Sequence, residues 1–394
     1  MSQVWLNALG LTCALGNDVD EVAAALFADD AARGVAASTL LSPGHPTALG
    51  IVPAELPPLD DHPLELRGRN NALLSIALAP LRDTVAAAVE RHGPDRVAVV
   101  LGSSTSGVGE SEAAHRHFAR HGEWPAGFHY RQQEMGTAAR FVAAELGLRG
   151  PAHVISTACS SSAKALASAA RLLRAGMADA VVAGGADSLC RFTLAGFGAL
   201  GSVSPQRCNP FSLNRNGINI GEGAALFLLT REPGPVRLAG WGESADAHHM
   251  SAPEPSGKGA ERAIREALSR AGIDAADVGY INLHGTATPH NDAMEATVVE
   301  RVFGSRTPCS STKPLTGHAL GAAGAIEAAI CWLTLARNPR GRLPPHWWDG
   351  AADPALPAID LVAPGRCAHA PLRHALSQSF AFGGSNAALV FGAA

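Results

Sequence analysis

Short apolar runs that end at glycine or serine alternate along the chain with longer stretches free of proline and glycine. Val97-Ala-Val-Val-Leu101 and Ala180-Val-Val-Ala183 have the length and β-branched content of buried strands. Between them, Ser160 to Ala175 contains neither proline nor glycine and stops at Gly176, a residue suited to the position after a helix. A strand near Val154-Ile155 is therefore expected to meet a helix at about Cys159. The same plan returns later: Val278-Gly-Tyr-Ile-Asn-Leu283 runs into His284-Gly285 much as Val97 to Leu101 runs into Gly102-Ser103. Ser310 to Gly324 then leads into an alanine-rich helix ending near Ala336, paralleling Ser156 to Lys164 and the helix after it. The alternation predicts an α/β protein. The echo predicts two similar halves, 1–235 and 236–394, divided where Pro233-Gly-Pro235 breaks the pattern. Residues 31–70 and 104–150 fit poorly and read as insertions over the first half, of the kind that often carry binding functions.

With 394 residues and 47% hydrophobic composition the chain can bury a large core, enough for two domain-sized units. A formal charge of −4 and a pI near 6.5 lack the basic footprint that nucleic acid requires. The N-terminus has no secretory pattern, and no uninterrupted apolar run reaches the roughly 18 to 20 residues of a membrane span, so a cytoplasmic protein with no membrane span is expected. The seven cysteines, at 13, 159, 190, 208, 309, 331 and 367, are scattered and contain no Cys-x-x-Cys pair; they read as thiols, not as bridges or metal ligands. No Gly-x-Gly-x-x-Gly follows a strand, and neither a Gly-x-x-x-x-Gly-Lys loop nor a Gly-x-Ser-x-Gly elbow occurs.

Cys159, at the expected junction of strand and helix, would lie among free amide N–H groups at the positive end of a helix dipole, both favouring thiolate. A nucleophile belongs there, and a buried structural cysteine is the plainer alternative. His284 and His318 stand at turns among small residues, in His284-Gly-Thr-Ala-Thr288 and Thr316-Gly-His-Ala-Leu-Gly321, which leave room for a substrate. One cysteine with two histidines suits acyl transfer followed by decarboxylative carbon–carbon bond formation: the thiolate accepts the acyl group, and imidazole N–H groups stabilise an enolate oxygen. Spacing alone does not bring the three together. By residue type Lys313 reads as a loop surface charge, Glu327 as a solvated helix residue and Phe382 as core. His248-His249 does not make a metal site, since adjacent side chains rarely converge on one ion; no metal is expected.

Four ordered blocks carry a specific resemblance: Thr157-Ala-Cys-Ser-Ser161, His284-Gly-Thr-Ala-Thr-Pro-His-Asn-Asp292, Ser311-Thr-Lys-Pro-Leu-Thr-Gly-His318 and Ser379-Phe-Ala-Phe-Gly-Gly-Ser-Asn386. Together they resemble the signature of β-ketoacyl-acyl-carrier-protein synthases, above all the elongating, type II enzymes, and the likeness runs from Leu9 to Phe391. It implies the thiolase-like fold, two duplicated halves in a five-layer αβαβα arrangement, usually dimeric. By the same resemblance Cys159 is acylated, His284 and His318 drive malonyl decarboxylation, and Lys313 supports His318. Glu327 organises the lysine side, Asp292 fixes the loop of the first histidine, and Thr286 and Thr288 bond the pantetheine arm. Backbone N–H groups of Cys159 and Phe382 form an oxyanion hole. It further implies an acyl carrier protein as partner, docked on Arg67, Arg69 and Arg207. Phosphopantetheine then arrives on the carrier, with no resident cofactor. The second subunit is another copy or a paralogous chain-length factor.

The chain departs from the elongating pattern in two places. Phe380-Ala-Phe-Gly-Gly384 has alanine where the gate usually has glycine, an added methyl expected to restrict φ. Asn209-Pro-Phe-Ser-Leu-Asn-Arg-Asn-Gly217 lacks the usual aspartates beside its arginine, and the loop before it looks shortened. These features, with Asp187-Ser-Leu-Cys190, are similar to synthases of aryl-polyene pathways, and the likeness would put Phe128-His-Tyr-Arg-Gln-Gln133 near the dimer interface and acyl pocket. Two other readings stay in view: an enzyme acting on CoA esters, as thiolases do with a second cysteine near the C-terminus, and a catalytically inert chain-length partner.

Overall fold

The apolar runs that end in glycine fold as strands, and Val97–Gly102 and Ala180–Asp187 are buried along their whole length. The computed structural model describes residues 3–394. Its chain opens with β1 (Trp5–Cys13) and α1 (Val19–Leu26), then a hairpin of β2 (Ala36–Ser38) and β3 (Thr47–Leu49), then α2 (Arg69–Leu78) and α3 (Arg82–His92). The first half continues with β4 (Val97–Gly102), α4 (Val108–His121), α5 (Thr137–Glu145), β5 (Ala152–Ile155), α6 (Ser161–Arg174), β6 (Ala180–Asp187), α7 (Arg191–Ala199) and β7 (Gly223–Thr230). After Pro233-Gly-Pro235 come β8 (Val236–Ala245), α8 (Lys258–Ala271), β9 (Tyr280–Asn282), α9 (Pro289–Phe303), β10 (Pro308–Ser310), α10 (Lys313–Thr316) and α11 (Ala323–Ala336). The chain closes with β11 (Asp360–Leu361), β12 (His374–Ala381) and β13 (Ser385–Ala393).

Strand order shows the duplication directly. The first half runs β5-β4-β6-β7-β1 and the second β10-β9-β12-β13-β8, with β11 added outside β10. In each, the first three strands named are parallel and the last two antiparallel. The halves join where Trp5 and Leu6 of β1 pair with Arg237 and Val236 of β8. Helices α6 and α11 pack against both halves, and their apolar residues form one core with the facing strands. A second core lies under α2 and α5, and a third under α8 and α9, on the outer faces. This is the thiolase-like stack of helix, sheet, helix, sheet, helix.

Two regions depart from the alternation expected of them. Within 104–150, α5 packs on β4 and β5 as a regular part of the first half, so that stretch is not wholly insertion. Arg69–His92 is long and apolar enough by composition to cross a membrane, but it divides into α2 and α3 around Pro80. Its Leu73, Leu74, Leu78 and Leu81 are fully buried in the second core, which makes it a core element. Gly196-Phe-Gly-Ala-Leu-Gly201 has dinucleotide-loop spacing yet runs along α7 and the turn after it, with no strand leading in.

Helices approach the sheets closely at matching points of the two halves. A Cβ on Gly10 of β1 would fall 1.7 Å from the Ala77 carbonyl oxygen of α2, and one on Gly242 of β8 would fall 1.9 Å from that of Ala263 in α8. Gly242→Ala is expected to destabilise the chain by about 1–3 kcal/mol, because helix α8 must move off the sheet. Urea denaturation would show it as a lower midpoint. Gly127→Ala, at a position with nothing near, serves as the control and should leave the midpoint in place.

Candidate active site

Three connections bring the predicted chemistry together. β5 ends at Ile155 and α6 begins at Ser161, and in the tight link between them Ala158 takes a φ of 51°. Thr157 N–H donates to Ser161 Oγ at 2.8 Å, closing that link over the helix start. In the second half β9 runs into His284, and β10 runs into the segment that carries Lys313 and His318. The result places Cys159 Sγ 3.0 Å from His318 Nε2, with the His284 ring edge-on to that of His318 at a centroid distance of 5.4 Å. All three residues are buried and line a cavity of about 250 Å³ together with Phe380, Phe382, Thr286 and Thr288.

Lys313 is fully buried beside them. Its ammonium donates to the His284 carbonyl and to Glu327 Oε1, and lies 3.4 Å from His284 Nδ1. Burial and the Lys313 charge hold both imidazoles well below the usual histidine range, so both are neutral. With an ammonium facing Nδ1 of His284, that nitrogen is the acceptor, and its proton sits on Nε2. Burial pushes Glu327 up to about 7, and its bonded lysine keeps it from rising further. Cys159 differs from the expectation of a thiolate. Burial lifts it to about 11, against the lowering pull of Lys313 and of the Phe382 and Cys159 N–H groups, so the resting group is a thiol.

Ligand atoms of Cys159, His284 and His318 all lie within 4.8 Å of one another, a soft donor set that zinc would accept. The ammonium of Lys313 beside them opposes a dication. The set therefore suits acyl transfer, with a neutral acceptor, His318 Nε2, at the sulfur and the Nε2–H of His284 beside it.

Comparison with known proteins decides the family. Residues 78–233 match the beta-ketoacyl synthase N-terminal domain, and residues 236–346 match its C-terminal domain. Nodulation protein E of Rhizobium meliloti is 33% identical over 407 residues, covering 99% of this chain and 98% of that protein. This chain belongs to the beta-ketoacyl synthase family. It is a condensing enzyme of the acyltransferase class. A 3-oxoacyl-[acyl-carrier-protein] synthase 2 of Rhizobium meliloti (strain 1021) is 42% identical over 262 residues, 62% of this chain and 61% of that one. The ketosynthase ApeO of Xenorhabdus doucetiae, solved in complex with its chain length factor ApeC, is 46% identical with a TM-score of 0.92, covering all of this chain and 98% of that one.

The synthase places the other predicted residues unevenly. Thr286 and Thr288 line the cavity with their hydroxyls 3.0 Å apart. Asp292 accepts from the Phe211 N–H at 2.7 Å and the Ala287 N–H at 3.2 Å, so it does pin the His284 loop, and burial raises it to about 6. Ala381 is extended, with φ −98° and ψ 153°, and its methyl meets no restriction; the turn's demands fall on Gly383 and Gly384, at φ 82° and 72°. Arg215, without aspartates in its own segment, pairs with Asp353 at 2.5 Å, while Asn214 donates to Asp349 at 2.8 Å, so a later loop supplies the acids. Cys367 is exposed and lies outside the cavity.

Of the three arginines expected at the carrier dock, Arg69 and Arg207 are held by partners within the fold. Arg69 forms a two-pronged pair with the fully buried Glu222, at 2.7 and 2.5 Å. Arg207 donates to the carbonyls of Ala32, Arg33, Val35 and Pro314, tying the 32–35 loop to the Lys313 segment. Both guanidinium groups are committed to the fold, because an unpaired buried Glu222 or an unsatisfied carbonyl cluster would be costly. Arg67 bonds the His62 and Asp60 carbonyls at 2.8 and 2.7 Å and stays half-exposed.

Besides Glu222, two buried carboxylates hold roles that the sequence reading did not assign. Asp187 accepts from Ser103, Ser104 and Thr105 in the first half and from the Gly321 and Ala322 N–H groups just after His318. Glu295, one turn beyond Asp292 on α9, accepts the N–H groups of His284 and Gly285 at 2.6 and 2.7 Å. The signal for Glu295 was helical spacing: Asn291, Asp292 and Glu295 face one way toward the loop. Burial pushes Glu295 up to about 8. Between its ordinary value and 8 the folded chain binds more protons at this site than the unfolded chain, so the Glu295 contribution to stability declines as pH rises. Glu295→Gln abolishes that titration, and its melting temperature should gain on the parent's from about pH 5 to about pH 8. A difference that does not vary with pH would show that Glu295 titrates normally.

Proposed function

We propose that Cys159 takes an acyl group from a carrier-bound thioester and that His284 and His318 then turn a malonyl thioester into the nucleophile that extends it. The observation that carries this reading is the 3.0 Å approach of His318 Nε2 to Cys159 Sγ with the His284 ring alongside. As the sulfur attacks the acyl carbonyl, neutral His318 takes the thiol proton and returns it to the departing pantetheine thiolate. The developing oxyanion meets the N–H groups of Cys159 and Phe382. Malonyl thioester next loses carbon dioxide, and its carbonyl oxygen, now an enolate oxygen, is held by the Nε2–H of His284 and, once the proton on His318 Nδ1 has moved to Nε2, by that of His318, both rings staying neutral under the Lys313 charge. The enolate carbon attacks the acyl-cysteine. Release of Cys159 as thiolate, followed by uptake of a solvent proton, gives a β-ketoacyl product two carbons longer. The prosthetic arm enters past Thr286 and Thr288 and needs no resident cofactor.

Cys159→Ala should abolish condensation and leave malonyl decarboxylation measurable, whereas His284→Ala and His318→Ala should each lower decarboxylation by about 10²- to 10³-fold. Intact-protein mass spectrometry with acyl and then malonyl carrier thioesters reads both steps. A Cys159→Ala chain that condenses at the parent rate would contradict the mechanism. Retention of all four polar groups at the site speaks against an inert chain-length partner, and the position of Cys367 speaks against thiolase chemistry on CoA esters.

Pairing with a chain-length factor and an aryl-polyene type of substrate are supported by the 46% identity to ApeO, a ketosynthase solved with such a factor. Exposed Phe118, Trp124, Tyr130 and Phe192 and the open edge of β5 give a partner subunit an apolar surface to cover, in the cytoplasm where carrier-dependent synthesis runs. Of the three expected arginines, Arg67 is paired with the exposed carboxylate of Asp60, 3.6 Å away, which an acidic carrier can replace. Arg67→Glu is expected to raise KM for the acyl carrier about 3- to 30-fold with kcat little changed. Unchanged KM would move the dock elsewhere.

A further inference from the structure

The two N–H groups of the proposed oxyanion hole come from separate stretches of chain: Cys159 from the loop after β5, Phe382 from the turn after β12. A file of polar groups spans the gap between those stretches. Lys164 on α6 donates from Nζ to Ser385 Oγ at 2.6 Å, Ser385 Oγ lies 3.0 Å from Ser160 Oγ, and Ser160 Oγ lies 2.9 Å from the Thr157 carbonyl oxygen. Ser160 has one hydroxyl proton. Donated to Ser385, it makes that oxygen the shared acceptor of Ser160 and Lys164, so a hydroxyl of the nucleophile loop and a charge on α6 meet on the turn.

Lys164 is partly buried, and among the described residues no carboxylate lies within ion-pair distance of it; nearby Glu243 is engaged by Arg171. An ammonium drawn from water and bonded to a neutral hydroxyl gains less than one in an ion pair, so stability alone is a poor account of it. The other side of the turn is held by the segment after β8, where Asp246 N–H donates to the Gly384 carbonyl at 2.9 Å and Gly383 N–H to that of Met250 at 2.8 Å. Met250 is largely exposed, so that attachment faces solvent, and the Lys164 file holds the inner side.

We propose that Lys164, acting through Ser385 and Ser160, is a positioning residue that locks the Phe382–Ser385 turn to the Cys159 loop and so sets the distance between the two oxyanion-hole N–H groups. The inference rests on the condensing chemistry proposed above and adds the device that joins the two sides of the hole.

In the full-length chain, Lys164→Met and Ser385→Ala should each slow acyl transfer to Cys159 by about 10- to 100-fold. KM for the acyl donor and the rate of Cys159 alkylation by iodoacetamide, which forms no oxyanion, should change by less than about threefold. The double variant should lose little more than the slower single one, because both break the same file. Ser385→Thr, which keeps the hydroxyl, should recover most of the rate lost in Ser385→Ala. Amide hydrogen exchange across 380–388 should speed up in Lys164→Met and Ser385→Ala, and that readout needs no turnover. Additive losses in the double variant, or exchange in Lys164→Met equal to the parent's, would overturn the tether. A parent chain that accepts no acyl group sinks the condensing reading instead, and the exchange measurement still decides the tether. Should either variant fail to fold, Lys164→Gln and Ser385→Cys put the same question.

Discussion

The buried ammonium of Lys313 is the constraint around which the site is organised. A charge taken that far from water is tolerable only with several close partners, and Lys313 finds them in Glu327, the His284 carbonyl and His284 Nδ1. Those partners belong to two elements of the second half, helix α11 and the loop after β9, and Lys313 itself stands on a third, the segment after β10. Satisfying one cation thus brings all three into register. It also determines protonation, since a fixed positive charge beside two buried imidazoles keeps both neutral and orients the first as a donor toward the cavity.

Duplication explains why the remaining groups converge. Within each half the loop after the third strand of the large sheet, counted in chain order, carries chemistry: Cys159 follows β5, and Lys313 and His318 follow β10. The loops after the second strands have diverged. His284 follows β9, while after β4 the equivalent place holds Ser103, Ser104 and Thr105, which bind Asp187. Asp187 in turn accepts the N–H groups of Gly321 and Ala322, so a carboxylate at the end of β6 anchors the segment just after His318. One half supplies the nucleophile and a structural clamp, and the other supplies the charge and both imidazoles.

Much of this was legible in the residues. The strands at 97 and 180, the helix beginning near Cys159 and the echo of that plan at His284 and Ser310 followed from apolar periodicity and from glycine at element ends. Period and punctuation are local properties, and a sequence states them directly. Convergence of Cys159, His284, His318 and Lys313 was legible through resemblance and not through spacing, because the groups meet across a sheet stack that no local pattern encodes. The arginines show the converse limit. Arg69 and Arg207 look like surface charge in one dimension, yet Glu222 is 153 residues from Arg69 and the carbonyl of Val35 is 172 residues from Arg207. The partners that turn them inward are visible only once the chain is folded. Burial likewise reversed the expected state of Cys159, since a helix start favours thiolate only where the sulfur keeps enough solvation or charge to stabilise it.

A resting thiol changes what the active site has to accomplish. If Cys159 were already ionised, His318 would need only to donate. At about 11 the sulfur must lose its proton during attack, and the neutral imidazole 3.0 Å away is the group placed to receive it. The same ring must then present an N–H to the enolate, and since Nε2 is bare once that proton has passed to the departing pantetheine sulfur, its other proton must move from Nδ1 to Nε2 first. The Lys313 charge serves both stages. It weakens imidazolium, so the borrowed proton is held briefly, and it pulls down the thiol, so less is demanded of the histidine. Burial and one cation, acting in opposite directions on the same sulfur, leave Cys159 protected as a thiol until a thioester arrives.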